Sequence, residues 1–150
     1  MKWIILAGSS NTRKTWTLTE AVIALVNTCG AQLVSPAALP TPHSAIAPNR
    51  WPYYDNGTYE LLYRGKRIVV ATAGDTPGIV EHSFKDAKSR NVDVFISAAR
   101  ARSGSGHIST IDKIITSGLA EVFILAALDH SFETMPTIVT WRVQQIVDMV

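Results

Sequence analysis

Cysteine is almost missing from this chain. Cys29 is the only one in 150 residues, which excludes an intramolecular disulfide framework and any multi-cysteine zinc site. Charge is also scarce. Charged residues make up 17% of the chain, and 14 Lys+Arg against 12 Asp+Glu leave a net charge of +2. So small an excess does not indicate nucleic acid as a partner. Long apolar runs are absent, the longest being Val122 to Leu128, far short of the roughly 20 residues of a membrane span. Lys2 followed by Trp3-Ile4-Ile5-Leu6-Ala7 imitates a signal peptide, but the stretch is too short and basic residues soon follow. The expectation is a cytoplasmic protein without a membrane partner. What the chain does have is apolar bulk: 47% hydrophobic residues in 16.3 kDa, enough for one domain core over 1–150.

The apolar spacing changes period along the chain, and this orders the elements. Trp3 to Ala7 reads as a buried strand, and from Lys14 the residues Leu18, Val22, Leu25, Val26 and Cys29 recur at helical spacing up to Gly30. Gln32 to Ser35 suits a short strand. Residues 36–57 hold Pro36, Pro40, Pro42, Pro48 and Pro52 together with Trp51, Tyr53 and Tyr54, a long Pro/aromatic-rich loop of the kind that is often functional. Thr58 to Tyr63 and Lys66 to Thr72 read as a hairpin turning at Arg64-Gly65. Pro77 opens a helix with Ile79, Val80, Phe84 and Ala87 inward and the pairs Glu81/Lys85 and Asp86/Arg90 on its surface. Val92 to Ala98 is the next strand. Ser109 with Asp112 then resembles a capping box, opening a helix with Ile111, Ile114 and Ile115 inward and Gly118 at its end. Glu121 to Leu128 reads as a strand, and Pro136 begins a last helix carrying Val139, Val143, Ile146, Val147 and Val150. Strands alternating with helices predict an α/β three-layer sandwich with a mostly parallel sheet and one antiparallel edge hairpin. Ligands then bind beyond the carboxyl ends of the strands, where segments 8–15, 72–78, 98–107 and 126–133 converge.

The first of these segments carries the most chemistry. Gly8-Ser9-Ser10-Asn11-Thr12-Arg13-Lys14-Thr15 lies between a strand and a helix and resembles the phosphate-binding loop G-x-x-x-x-G-K-[ST] of the P-loop NTPase superfamily. Arg13 stands where the second glycine belongs. If that position needs positive φ, a residue with a Cβ costs about 1–2 kcal/mol there; its guanidinium would either meet the phosphates or fill their pocket. The resemblance implies that Gly8, Asn11, Thr12, Arg13, Lys14 and Thr15 cradle the nucleotide. Lys14 would clamp the β- and γ-phosphates, and the Thr15 hydroxyl would sit on Mg²⁺. A plain strand-to-helix turn uses the same residue types and is the competing reading.

The same resemblance asks for an acidic residue closing a neighbouring strand, and Asp75 after Lys66–Gly74 fits that metal role; helix capping is its alternative. Asp75-Thr76-Pro77-Gly78 also matches the D-x-x-G of GTPases. The stretch comparable to their N-K-x-D is Ala126-Ala127-Leu128-Asp129, lacking Asn and Lys, so ATP or another NTP is the expected cofactor rather than GTP. Arg100 and Arg102, before a Gly/Ser loop, are candidates to offset charge on a transferring phosphoryl group, or are simply solvated. His43, His82, His107 and His130 show no metal-ligand spacing. Trp16 packs against the sheet or lies beside a base, and Cys29 belongs to the core.

Functions of three kinds remain open: a Mg²⁺-dependent NTPase or small kinase-like phosphotransferase with an unnamed acceptor, a module that holds a nucleotide or phosphate without turnover, and a protein whose 51–54 aromatic loop docks a partner or a second copy.

Overall fold

In a computed structural model, residues 1–9, 12–43, 52–101, 106–127 and 134–150 are described. Their elements run β1 (Lys2–Gly8), α1 (Lys14–Asn27), β2 (Gln32–Ser35), β3 (Thr58–Tyr63), β4 (Lys66–Ala71), α2 (Pro77–Ser89), β5 (Val94–Arg100), α3 (His107–Thr116), β6 (Glu121–Ala126) and α4 (Met135–Met149). The strands form one sheet in the order β2-β3-β4-β5-β1-β6. β4, β5, β1 and β6 are mutually parallel, and β3 runs against both of its neighbours.

Alternation along the strands divides the core. Ile4 and Leu6 of β1, Val70 of β4 and Ile96 of β5 pack with Leu18, Val22 and Leu25 of α1 and Ile146 of α4. Trp3, Ile5, Val69 and Phe95 point the other way, onto Val80 and Phe84 of α2 and Ile111 and Ile114 of α3. Helices therefore cover both faces, as a parallel sheet requires. Trp3 is fully buried, and its indole N–H donates to Ser97 Oγ at 2.9 Å, so its polar atom is satisfied inside the core.

The antiparallel hairpin is present but is not the edge. β2 pairs along the outer side of β3 and takes the edge position itself. β3 is consequently an interior strand: Tyr59 and Leu61 face the core, while Glu60 on the opposite face is held by Arg67 at 2.6 Å and Arg90 at 3.3 Å. At the hairpin turn Arg64 and Gly65 both take positive φ, the twist that a two-residue connection between strands demands.

Three helix details differ from expectation. Ser109 does not cap α3. That helix starts at His107 behind Gly106, whose φ of 75 turns the chain, and the Ser109 hydroxyl donates to the Gly106 carbonyl at 2.9 Å. His107 joins Ile111 and Ile114 on the buried stripe, and Ile115 is exposed. Ile79 of α2 is likewise exposed, because its neighbour Val80 takes the core position. The pairs Glu81–Lys85 and Asp86–Arg90 form as the spacing predicts.

Candidate functional site

The carboxyl ends of β1, β4, β5 and β6 share one rim, and the chain is tied together there by backbone. The Ala101 N–H donates to Gly8 O at 3.0 Å, Arg100 N–H to Gly74 O at 3.1 Å, and Ala127 N–H to Ala7 O at 2.7 Å. The four predicted segments therefore meet as far as they are described; Asn11, Arg102 and His130 lie outside the described residues. Two glycines make the approach possible. A Cβ on Gly8 would stand 2.7 Å from Ala127 O and 2.8 Å from Thr12 Oγ1, and one on Gly74 would stand 2.2 Å from Ala98 O.

Arg13 is left-handed, with φ 56 and ψ 35. The position that holds glycine in the P-loop pattern does need positive φ here. This turn swings the chain into α1, and the Arg13 side chain at the N-cap makes no capping hydrogen bond.

Lys14 folds back over the loop. Its ammonium donates to Ser9 O at 2.6 Å, Gly8 O at 3.1 Å and Thr12 Oγ1 at 3.2 Å, and the Thr12 hydroxyl donates to Ser9 O at 2.9 Å. Burial lowers the pKa of Lys14 below the ordinary lysine value, Arg100 lowers it further, and Asp75 acts the other way. These causes bring three of the predicted residues into one electrostatic neighbourhood. Arg100 Nη2 lies 3.0 Å from Asp75 Oδ1. Asp75 does not cap α2, since Thr76 takes that place and its Oγ1 accepts from Ile79 N–H at 3.3 Å.

Thr12, Arg13, Lys14, Thr15, Asp75 and Arg100 line a single pocket of about 300 Å³. Among its described lining residues, three are cationic and one is a carboxylate. The long loop supplies a further wall: Pro52, Tyr53, Tyr54 and Asn56. Asn56 Oδ1 accepts from the Thr15 hydroxyl at 3.1 Å. Tyr54 is buried in a small cluster with Trp16, Met135 and Val139, and its hydroxyl donates to Glu20 at 2.9 Å. Trp16 accordingly packs against α4 rather than the sheet. Of the aromatic loop at 51–54, Tyr53 is exposed and Tyr54 is committed to the interior, while Trp51 lies outside the described residues.

His107 was missed as part of the site. It is 1% exposed, and its Nε2 lies 3.0 Å from Gly74 O, the carbonyl that also receives Arg100 N–H. It braces the turn carrying Asp75. Nothing in the sequence marks it, because its role depends on where α3 starts.

A Thr15 hydroxyl and an Asp75 carboxylate line one pocket and are oxygen donors of the kind that a hard cation such as Mg²⁺ takes beside phosphate and water; here the first donates to Asn56 and the second pairs with Arg100. No group of three His, Cys, Asp or Glu that could hold a metal by themselves occurs among the described residues, and none of the described helices is long and apolar enough to cross a membrane. Compared with known proteins, the chain matches no family model, no curated protein and no solved structure.

Proposed function

We propose that this chain binds a nucleoside triphosphate, ATP in the first instance, with its phosphates in the pocket at the start of α1, and that it acts as a Mg²⁺-dependent NTPase or small phosphotransferase of P-loop type. One observation carries the reading. A half-buried lysine, directly after a left-handed turn into α1, lines one pocket of about 300 Å³ together with a second cation, Arg100, that acts on it. Like charges brought together in partial burial cost free energy that a multiply charged anion offsets.

The roles follow from position. The ammonium of Lys14 exchanges its loop carbonyls for phosphate oxygens. Thr12, Arg13 and the first amides of α1 supply further donors. Arg100 stands beside the pocket with its charge directed at Asp75 and is placed to turn toward a phosphoryl group instead. Mg²⁺ held by Thr15 and Asp75 would supply charge neutralisation on the phosphates. Tyr53 and Asn56 on the loop wall are where an acceptor or an attacking water would lie.

A second reading has its own support. The one carboxylate among the described pocket residues is ion-paired with Arg100, so no free carboxylate base stands ready among them, which favours holding a nucleotide or phosphate without turnover. Thermal denaturation separates these readings. Mg-ATP at about 100 times its Kd should stabilise the native chain by about 2.7 kcal/mol and leave Lys14→Ala unmoved; no shift in the native chain refutes both. Phosphate release then separates turnover from holding.

A further inference from the structure

The two edges of the sheet are built differently. β2 has four residues, a register irregularity between Leu33 and Ser35, and Pro36 directly after it. Short length, a bulge and proline are the usual devices that keep an edge strand from pairing with another chain. β6 has none of them. It runs Glu-Val-Phe-Ile-Leu-Ala in unbroken register with β1, contains no proline or lysine, and carries its single charge at one end.

The backbone of β6 also points the right way. Glu121 N–H donates to Met1 O and Ala127 N–H to Ala7 O, so the odd-numbered residues bond inward to β1. In a strand the alternate residues, Val122, Ile124 and Ala126, then direct their N–H and C=O away from the sheet. Among the described residues, one of these groups is engaged: Ala126 O, by Arg142 at 2.6 Å.

Side chains add to this. Val122 packs with the α2/α3 core and Phe123 with the other face, which places Ile124 on the α2/α3 face, where it is 55% exposed. Helix α3 continues the apolar surface. At about 100° per residue, Ile108 and Ile115 share one flank and Lys113 lies on the opposite one. Helix α3 joins β5 to β6, and Ile108 and Ile115 stand outside the core that Ile111 and Ile114 enter beside α2. Ile108 is 54% and Ile115 42% exposed.

We infer that β6 and this flank of α3 form an isologous interface with a second copy of the chain, the two β6 strands pairing antiparallel about Ile124. The surface fits itself. A two-fold axis perpendicular to the sheet keeps each face on its own side, so residues of equal parity must oppose each other. With Ile124 opposite Ile124, both bring outward-facing backbone groups and can exchange both hydrogen bonds. Val122 then meets Ala126 on the same face. Glu121 falls opposite Ala127, so the one charge of the strand meets no like charge. The α3 flanks approach over the isoleucine pair, and the two six-stranded sheets become continuous.

Sedimentation and cross-linking test this without reference to nucleotide. The native chain should sediment at twice 16.3 kDa at micromolar concentration, and Ile124→Lys should fall to the single-chain mass with an unchanged circular dichroism spectrum. In a Cys29→Ser background, Ile124→Cys should oxidise to a covalent dimer, because a hydrogen-bonded antiparallel pair sets Cα atoms about 5.5 Å apart, within disulfide range. Val34→Cys on the β2 edge should oxidise at least tenfold more slowly. A native chain of single-chain mass, a dimer that survives Ile124→Lys, or equal cross-linking at positions 34 and 124 overturns the inference. The cysteine variants keep it open to refutation if the lysine variant fails to fold.

Discussion

Replacing Arg13 by glycine separates backbone strain from charge at the centre of the site. Arg13 holds φ 56 and ψ 35, a conformation that costs an L-residue about 1–2 kcal/mol. Glycine removes that strain but adds about 0.5–1 kcal/mol of chain entropy lost on folding. The difference favours Arg13→Gly by about 1 kcal/mol or less, which for a chain of this length raises Tm by about 2–3 °C. Arg64 supplies a control, since it has φ 50 in the hairpin turn and does not line the pocket; Arg64→Gly should raise Tm similarly and leave nucleotide affinity alone. Affinity at position 13 follows charge. The Arg13 side chain is exposed, so its Coulomb contribution is screened to about 1 kcal/mol, roughly fivefold in Kd. Arg13→Gln should show the same loss of affinity without the gain in Tm. Scanning calorimetry and titration calorimetry on these variants read both quantities. A fall in Tm for Arg13→Gly refutes the strain argument. A gain in affinity for Arg13→Gly with none for Arg13→Gln shows instead that the arginine backbone attenuates the site.

Gly74→Ala should cost more stability than Gly8→Ala in urea denaturation, each by at least about 1–3 kcal/mol, because its Cβ would sit 2.2 Å from the Ala98 carbonyl oxygen against 2.7 Å from Ala127 O for Gly8. Burial and the hydrogen bond to Glu20 push the Tyr54 phenol up to about 12. Ultraviolet titration should show this late ionisation, and the stability it contributes should disappear as pH rises from 10 to about 12, a loss absent from Tyr54→Phe. Nucleotide affinity should decline with rising pH below 10.5, where the lowered Lys14 pKa lies, while Lys14→Arg should stay flat over that range. Over the same window the unfolded chain still holds the Lys14 proton that the folded chain releases, so the stability difference between the native chain and Lys14→Met should move in favour of the native chain as pH rises.

Local pattern explains why most of the fold could be read from the residues. Thr58–Tyr63, Gln32–Ser35 and the start of α2 at Pro77 fall where apolar alternation, turn chemistry and proline place them, because each signal is complete within a few residues. The misreadings share a cause in tertiary context. Ser109 and Asp112 have the spacing of a capping box, but Gly106 had already turned the chain and the helix starts at His107. Strand order is not a local property either, and nothing within Gln32–Ser35 announces that it closes the sheet outside β3. For the site, Lys14, Thr15, Asp75 and Arg100 were legible because a loop between strand and helix, or the end of a parallel strand, must lie at the carboxyl rim. Asn56, Tyr54 and His107 were not, since each reaches the pocket or its bracing by a path that periodicity does not encode.

The strand order gives the charges of the pocket their arrangement. β1 and β4 are not neighbours, because β5 runs between them. Lys14, issuing from β1, and Asp75, issuing from β4, are therefore separated by the strand that ends in Arg100. A direct Lys14–Asp75 pair would satisfy both groups and leave an anion little to gain. With Arg100 interposed, Asp75 is engaged by the guanidinium at 3.0 Å, while Lys14 is left with neutral loop oxygens and a like charge nearby. The lysine is then the group whose environment an incoming phosphate improves most. The same geometry predicts the effect of removing Arg100. Arg100→Gln should lift the pressure on the Lys14 ammonium, raise its pKa toward the ordinary value and release Asp75. Nucleotide affinity would then fall less steeply with rising pH below 10.5 than in the native chain, even if turnover were lost. A steeper fall would mean that Arg100 itself is the main phosphate ligand and that Lys14 is secondary.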